Sequence, residues 1–230
     1  MKRPAEPKST HPLLRRFSAV ELLIALAVLF GSFPFVEKLT HGPMIESILV
    51  TLVLISAVLA VSEQMRVVII AAVLALPALL GRWIHHYRPD LLPPELFLIG
   101  GIVFILFIIV NFLRFILTAH SVDTEVLCVA VSAYLLLGLL WTFCYWLAAE
   151  LSPNAFSFNA VTATDKSMSG FNALYFSFVT LSTLGYGDIT PVSSSARMLA
   201  AAESNVGLLY VAVLIARLVS LYSTPTQHEN

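Results

Sequence analysis

Apolar residues run along this chain in blocks longer than a soluble core uses. Six of them approach the ~20 residues a helix needs to cross a bilayer: about Phe17 to Val36, Met44 to Ser62, Val67 to Ile84, Leu96 to Leu117, Val126 to Ala149 and Ala196 to Leu221. A seventh block, Phe171 to Ser182, holds about twelve residues; it is too short to cross and suits a helix that enters and returns on one side. The connections are short, and the prolines of "HHYRPDLLPPE" stop the third helix and delay the fourth. Asp123 or Thr124 is placed to cap the fifth helix, and Ser169 the short one. The longest connection, Glu150 to Ser169, is polar and serine-rich and is expected to form an exposed turret.

Composition agrees with this pattern. The 230 residues are 58% hydrophobic and 12% charged, with a mean hydropathy of +0.88, far outside the range of soluble domains. The expected fold class is an all-α integral membrane protein with six transmembrane helices and one re-entrant segment. Thirteen basic against fourteen acidic residues leave a net charge of -1, which gives nucleic acid nothing to bind. Cys128 and Cys144 lie sixteen residues apart in one apolar block, about 24 Å along a helix. They cannot pair with each other and read as small buried side chains.

The distribution of charge sets an expected orientation. With the N-terminus inside, Lys2, Arg3, Lys8, Arg15, Arg16, Arg66, Arg114 and Arg217 fall on the inner face, and Lys38, Arg82, Arg88, Lys166 and Arg197 outside. This bias favours cytoplasmic termini in the plasma (cell inner) membrane and a re-entrant segment on the outer face. The first apolar block is span length and lacks a small-residue cleavage site, so it is expected to be retained. The expected organisation is a basic tail (1–16), a four-helix peripheral unit (17–119), a two-helix pore unit (120–222) and a short cytoplasmic tail (223–230).

Between the last two long blocks stands "TLSTLGYGD", Thr180 to Asp188. Irregular backbone at membrane depth persists only where protein shields it or water meets it. If the carbonyls of Thr183, Leu184, Gly185 and Tyr186 all face one axis, the backbone must alternate between conformations. Gly185 and Gly187 reach positive φ at little steric cost. Thr183 adds a hydroxyl at the inner end of the row. A mere flexible turn would call for neither the threonine before, the acid after, nor Pro191 beyond.

"ALYFSFVTLSTLGYGDITPV" resembles the pore helix and selectivity filter of potassium channels. The resemblance covers about residues 171 to 222 with the fifth span before them. It implies a filter of Thr183, Leu184, Gly185, Tyr186 and Gly187, with Asp188 at its outer edge and K+ held at Thr183, Leu184, Gly185 and Tyr186. One such segment per chain implies a homotetramer, in which four carbonyl rings replace the hydration shell of the ion. Leu184 departs from the commoner valine. Tyr175 and Phe176 match the aromatic cuff around the filter tyrosine, and Val179 stands where some members place a glutamate, so Asp188 has no carboxylate partner there. The implied cation also gains from the C-terminal end of the short helix, whose macrodipole points at the pore centre.

Gly207 matches the inner-helix hinge glycine of the family, and close packing by a small residue explains it equally. Leu208, Val211 and Ile215 follow on one helix face, which by resemblance lines the cavity below the filter. Glu203 lies in the sixth span, where a carboxylate is costly; it is expected to hydrogen-bond behind the filter, or to be protonated, and so to make conduction pH-sensitive. The fourth span carries Arg114 alone, not the arginine array of a voltage sensor.

The reading is therefore a potassium-selective channel, weakly or not voltage-gated, with membrane lipid, further copies of itself and K+ as partners, no cofactor and no enzymatic chemistry. A non-selective cation channel and a silent pore subunit are the alternatives within transport. A membrane enzyme built on His85 and His86 has no spaced nucleophile, base or metal set to support it.

Overall fold

The computed structural model describes residues 12–36, 39, 42–61, 64–88, 91–159 and 166–222. In order these form α1 (Pro12–Val36), α2 (Gly42–Ala60), α3 (Met65–Tyr87), α4 (Pro94–Thr118), α5 (Thr124–Leu151), β1 (Phe156–Phe158), α6 (Gly170–Leu181), β2 (Ile189–Pro191) and α7 (Ser194–Tyr222). The basic tail before Pro12 and the last eight positions lie outside the described residues, as do the side chains of His85 and His86.

Five of the helices, α1, α3, α4, α5 and α7, are long and apolar enough to span a bilayer. The apolar part of α2, Met44–Ala60, is shorter, at the lower end of the ~17–25 residues that suffice. The chain is thus a multi-pass, mostly helical membrane protein. α6 has 12 residues and cannot cross.

Each helix turns one face inward. On α1, Leu22, Leu26, Leu29 and Phe33 are buried while Ile24, Val28 and Phe35 are exposed. With lipid as the solvent, such apolar exposure is ordinary, and close packing rather than hydrophobic burial joins the helices. Small residues mark these contacts. A Cβ on Gly81 would stand 2.7 Å from Phe97 Cβ, one on Gly100 3.1 Å from Pro77 Cβ, and one on Gly101 2.9 Å from the Phe143 ring. The adjacent glycines of α4 therefore seat it against α3 on one side and α5 on the other. Between α2 and α3, Arg82 and Glu46 form an ion pair at 2.9 Å.

α5 is the hub: 67% of its apolar window is buried, against 11% for α7. The core runs without a break from α1 to α7, across the boundary expected near residue 119. Asp123 caps α5 as expected, its Oδ1 accepting from Val126 N at 2.9 Å. Ser169 occupies the N-cap position of α6, but its side chain makes no capping bond; its hydroxyl pairs with that of Ser167 at 3.0 Å instead.

The connection after α5 is more than a turret. β1 within it pairs antiparallel with β2, with Phe156 opposite Pro191 and Phe158 opposite Ile189. Ala155, Phe156 and Met168 are buried there with Tyr145, Phe176 and Ile189.

A candidate ion-conduction site

The short helix α6 is held on three sides. Phe178 packs edge-on against Phe30 of α1 at 4.9 Å between centroids, and its ring lies where a Cβ on Gly138 of α5 would stand. At its C-terminal end, the Leu181 carbonyl occupies the space that a Cβ on Gly207 of α7 would need. Gly207 thus seats the end of α6, and α7 is unbroken through it. This gives the glycine a packing role.

Beyond α6 the backbone alternates. Thr183, Gly185 and Gly187 have φ of 61°, 58° and 80°, while Leu184 and Tyr186 between them do not share the left-handed region. The glycines were expected there; Thr183 was not. A β-branched residue in this region costs about 1–3 kcal/mol and persists only where its surroundings hold it. The restraint comes from α6: Thr183 N donates to Thr180 O at 2.9 Å, and Leu184 N and Gly185 N both donate to Val179 O, at 2.9 and 3.4 Å.

These bonds turn the first three amides of the loop back onto the helix end. The carbonyls of Thr183, Leu184, Gly185 and Tyr186 accept no hydrogen bond among the described residues. The next carbonyl, of Gly187, is taken by Asn159 Nδ2 at 3.1 Å, and that of Asp188 by Asn159 N at 2.7 Å. The row of free acceptors therefore stops at Tyr186. A strip of oxygens with its donors turned away suits a cation and repels an anion.

The outer lip is tied to the helix by Tyr175, whose hydroxyl donates to Asp188 Oδ2 at 2.7 Å. The other carboxylate oxygen accepts from Ile189 N at 3.0 Å. Phe176 points elsewhere: it stands edge-on to Tyr145 and Phe156, with centroids 4.8 and 5.6 Å away. Val179 contributes its carbonyl to the loop, while its side chain is buried.

Glu203 is fully buried on α7. Its Oε2 accepts a short bond from the Tyr145 hydroxyl of α5, and its Oε1 lies 2.6 Å from Ser177 Oγ of α6. Ser177 Oγ also lies 2.8 Å from Gly138 O. One hydroxyl proton cannot serve both acceptors fully, so the carboxyl of α7, α5 and α6 share a single buried network. Farther along α7, Tyr210 donates to Ala130 O at 2.6 Å. Leu208, Val211 and Ile215 all remain exposed on the free side of the helix.

Asn159, Tyr145 and Ser177 are site residues that sequence reasoning missed. A lone carboxylate in a span demands donors, and that was the one available signal for a tyrosine and a serine on neighbouring helices. Nothing in the sequence pointed to Asn159.

Residues 129–224 match the family model described as "Ion channel". The "Two pore potassium channel b" of Oryza sativa subsp. japonica is 35% identical over 85 residues, 37% of this chain and 21% of that protein. "Two pore potassium channel c" of the same plant is 39% identical over 57 residues, 25% and 12% of the two chains. The "Two-pore potassium channel 1" of Arabidopsis thaliana is 48% identical over 46 residues, 20% and 13%. The matched stretch thus spans about an eighth to a fifth of these relatives. No solved structure gives a significant match.

Fold and site together define a membrane ion-channel pore carried by the second half of the chain. The relatives bear out the resemblance to potassium channels first suggested by "TLGYGD".

Proposed function

We propose that the protein is a potassium-selective channel in which four copies pool their filter segments around one axis. The observation that carries this reading is the run of four unpaired carbonyls, Thr183 to Tyr186, whose amides from Thr183 to Gly185 are bound to the helix end. A dehydrated K+ needs a cage of oxygens from several sides; one strip supplies one side. Residues 182–187 are exposed in the single chain, and irregular backbone at membrane depth needs protein around it. Three further copies would cover it and complete the rings. The C-terminal end of α6 adds about half a negative charge per subunit beside the ion.

Conduction in this reading is passive, without cofactor or covalent chemistry. The protein sits in the plasma (cell inner) membrane with the N-terminal side of α1 cytoplasmic, so that the filter opens outward. α4 offers Arg114 as its one charge within the membrane, and that side chain is exposed. Four such charges crossing the whole field would yield at most about 9 kcal/mol per 100 mV, so gating by voltage is weak.

The test is the reversal potential of the purified protein in planar bilayers, with potassium on one side and sodium on the other. A potential near the potassium limit, lost in Gly185→Asp, is expected. Current with a potential near zero would leave a pore without selectivity; persistent silence would assign the chain to a subunit that conducts only with partners.

A further inference from the structure

A groove of about 310 Å³ runs between α4, α5 and α7, toward the end of the bundle away from the filter. Leu113 and Leu117 of α4 form one wall, Leu137 of α5 the floor, and Val206, Leu209 and Val213 of α7 the other wall. It closes on Arg217. The guanidinium is anchored there by one bond, Nη2 to Ala119 O at 2.6 Å, and its Nε is buried with no partner among the described residues. Arg114 stands exposed one residue from Leu113, so the apolar groove ends in a cationic rim.

The groove lies on the far side of α7 from the face read as pore-lining. At about 100° per residue, Val206, Leu209, Val213 and Arg217 share one side, and Leu208, Val211 and Ile215 centre roughly 170° away. If the second set faces the axis, as the proposed function requires, the first faces outward, where the bilayer supplies the occupant. Lipid tails gain nothing hydrophobic by leaving other lipid, so occupancy must be decided at the headgroup. The half-buried Arg217 guanidinium, with only Nη2 engaged, matches a phosphate oxygen in charge and geometry through its remaining N–H groups.

We infer that this groove is a binding site for an anionic phospholipid, with one acyl chain between α4 and α7 and the phosphate on Arg217. The site joins the last peripheral helix to the pore-lining helix, so a bound lipid bridges the two units.

Native mass spectrometry of the solubilised oligomer, with phosphatidylglycerol or phosphatidylcholine of matched chains, tests the site. The intact protein should retain phosphatidylglycerol about fivefold better, the ratio given by about 1 kcal/mol per basic residue at an anionic headgroup. Arg217→Gln should abolish the preference, and Arg88→Gln, at the end of α3, should keep it. Leu117→Trp, which fills the groove and spares the arginine, should abolish retention by steric exclusion; it decides the matter if Arg217→Gln does not assemble. Equal retention of both lipids by the intact protein, or a preference that survives Leu117→Trp, overturns the proposal. The reversal potential of the same preparation separates the two readings, since the lipid preference needs no current to be seen.

Discussion

The hydroxyl of Tyr175 reaches Oδ2 of Asp188 at 2.7 Å, joining the middle of α6 to the far end of the irregular segment that follows it, within one chain. A hydrogen bond to a charged acceptor contributes about 1.5–3 kcal/mol. Tyr175→Phe should therefore lower the thermal stability of the oligomer modestly and make current run down during sustained recording. Steady current indistinguishable from the parent protein would remove the bond from the mechanism.

Asn159 is the second fastening of the outer lip, through its side chain to Gly187 O at 3.1 Å. Asn159→Ala releases that carbonyl at a cost of about 1 kcal/mol, and Asn159→Asp sets an acceptor against an acceptor. Single-channel conductance should fall in both, more in the aspartate variant. Equal conductance in all three proteins would contradict the geometry.

Gly207 distinguishes packing from hinging. A methyl at this position meets the Leu181 carbonyl, a backbone atom with little room to yield. Overpacking of this kind costs about 1–3 kcal/mol, so Gly207→Ala should lower the melting temperature of the detergent-solubilised oligomer. A hinge role alone would leave melting unchanged and alter open probability.

Glu203 exchanges hydrogen bonds with Tyr145 and Ser177. Glu203→Gln keeps the shape and one acceptor oxygen, while Glu203→Ala takes the carboxylate from the buried Tyr145 hydroxyl, at about 1–3 kcal/mol, and leaves Ser177 only Gly138 O. The alanine variant should be the less stable in a melting assay. If the carboxyl's proton regulates the filter, the glutamine variant should conduct with a flattened pH profile; an unaltered profile would leave Glu203 a purely structural brace.

Arg114 offers a simple control on gating. Replacing it by glutamine should leave the conductance-voltage curve almost unmoved. A steep curve that becomes shallow in Arg114→Gln would identify α4 as a voltage sensor after all.

The spans and the irregular backbone after α6 were legible because their signals are local. Long apolar blocks give the helices, twelve residues are too few to cross, and Thr-Leu-Gly-Tyr-Gly-Asp fits one kind of backbone. What stayed hidden depends on distant pairs. Tyr145 meets Glu203 across 58 positions, Ser177 meets it across 26, and Asn159 meets Gly187 across 28. No periodicity within a helix specifies which hydroxyl on a neighbour will face a buried acid. The left-handed Thr183 was hidden for another reason: its side chain disfavours that conformation, and the bonds to Thr180 and Val179 that hold it appear only with the end of α6 in place. β1 escaped notice because three residues are too short to show an alternation.

The pairing of β1 with β2 brackets α6 and the irregular segment after it inside one closed loop of a single chain. A single chain can thus shape this segment during synthesis, and the costly loop closure is met before any neighbour arrives. In the proposed tetramer, oligomerisation would then be the docking of four finished pieces, so that a chain that fails to assemble can still be correctly folded.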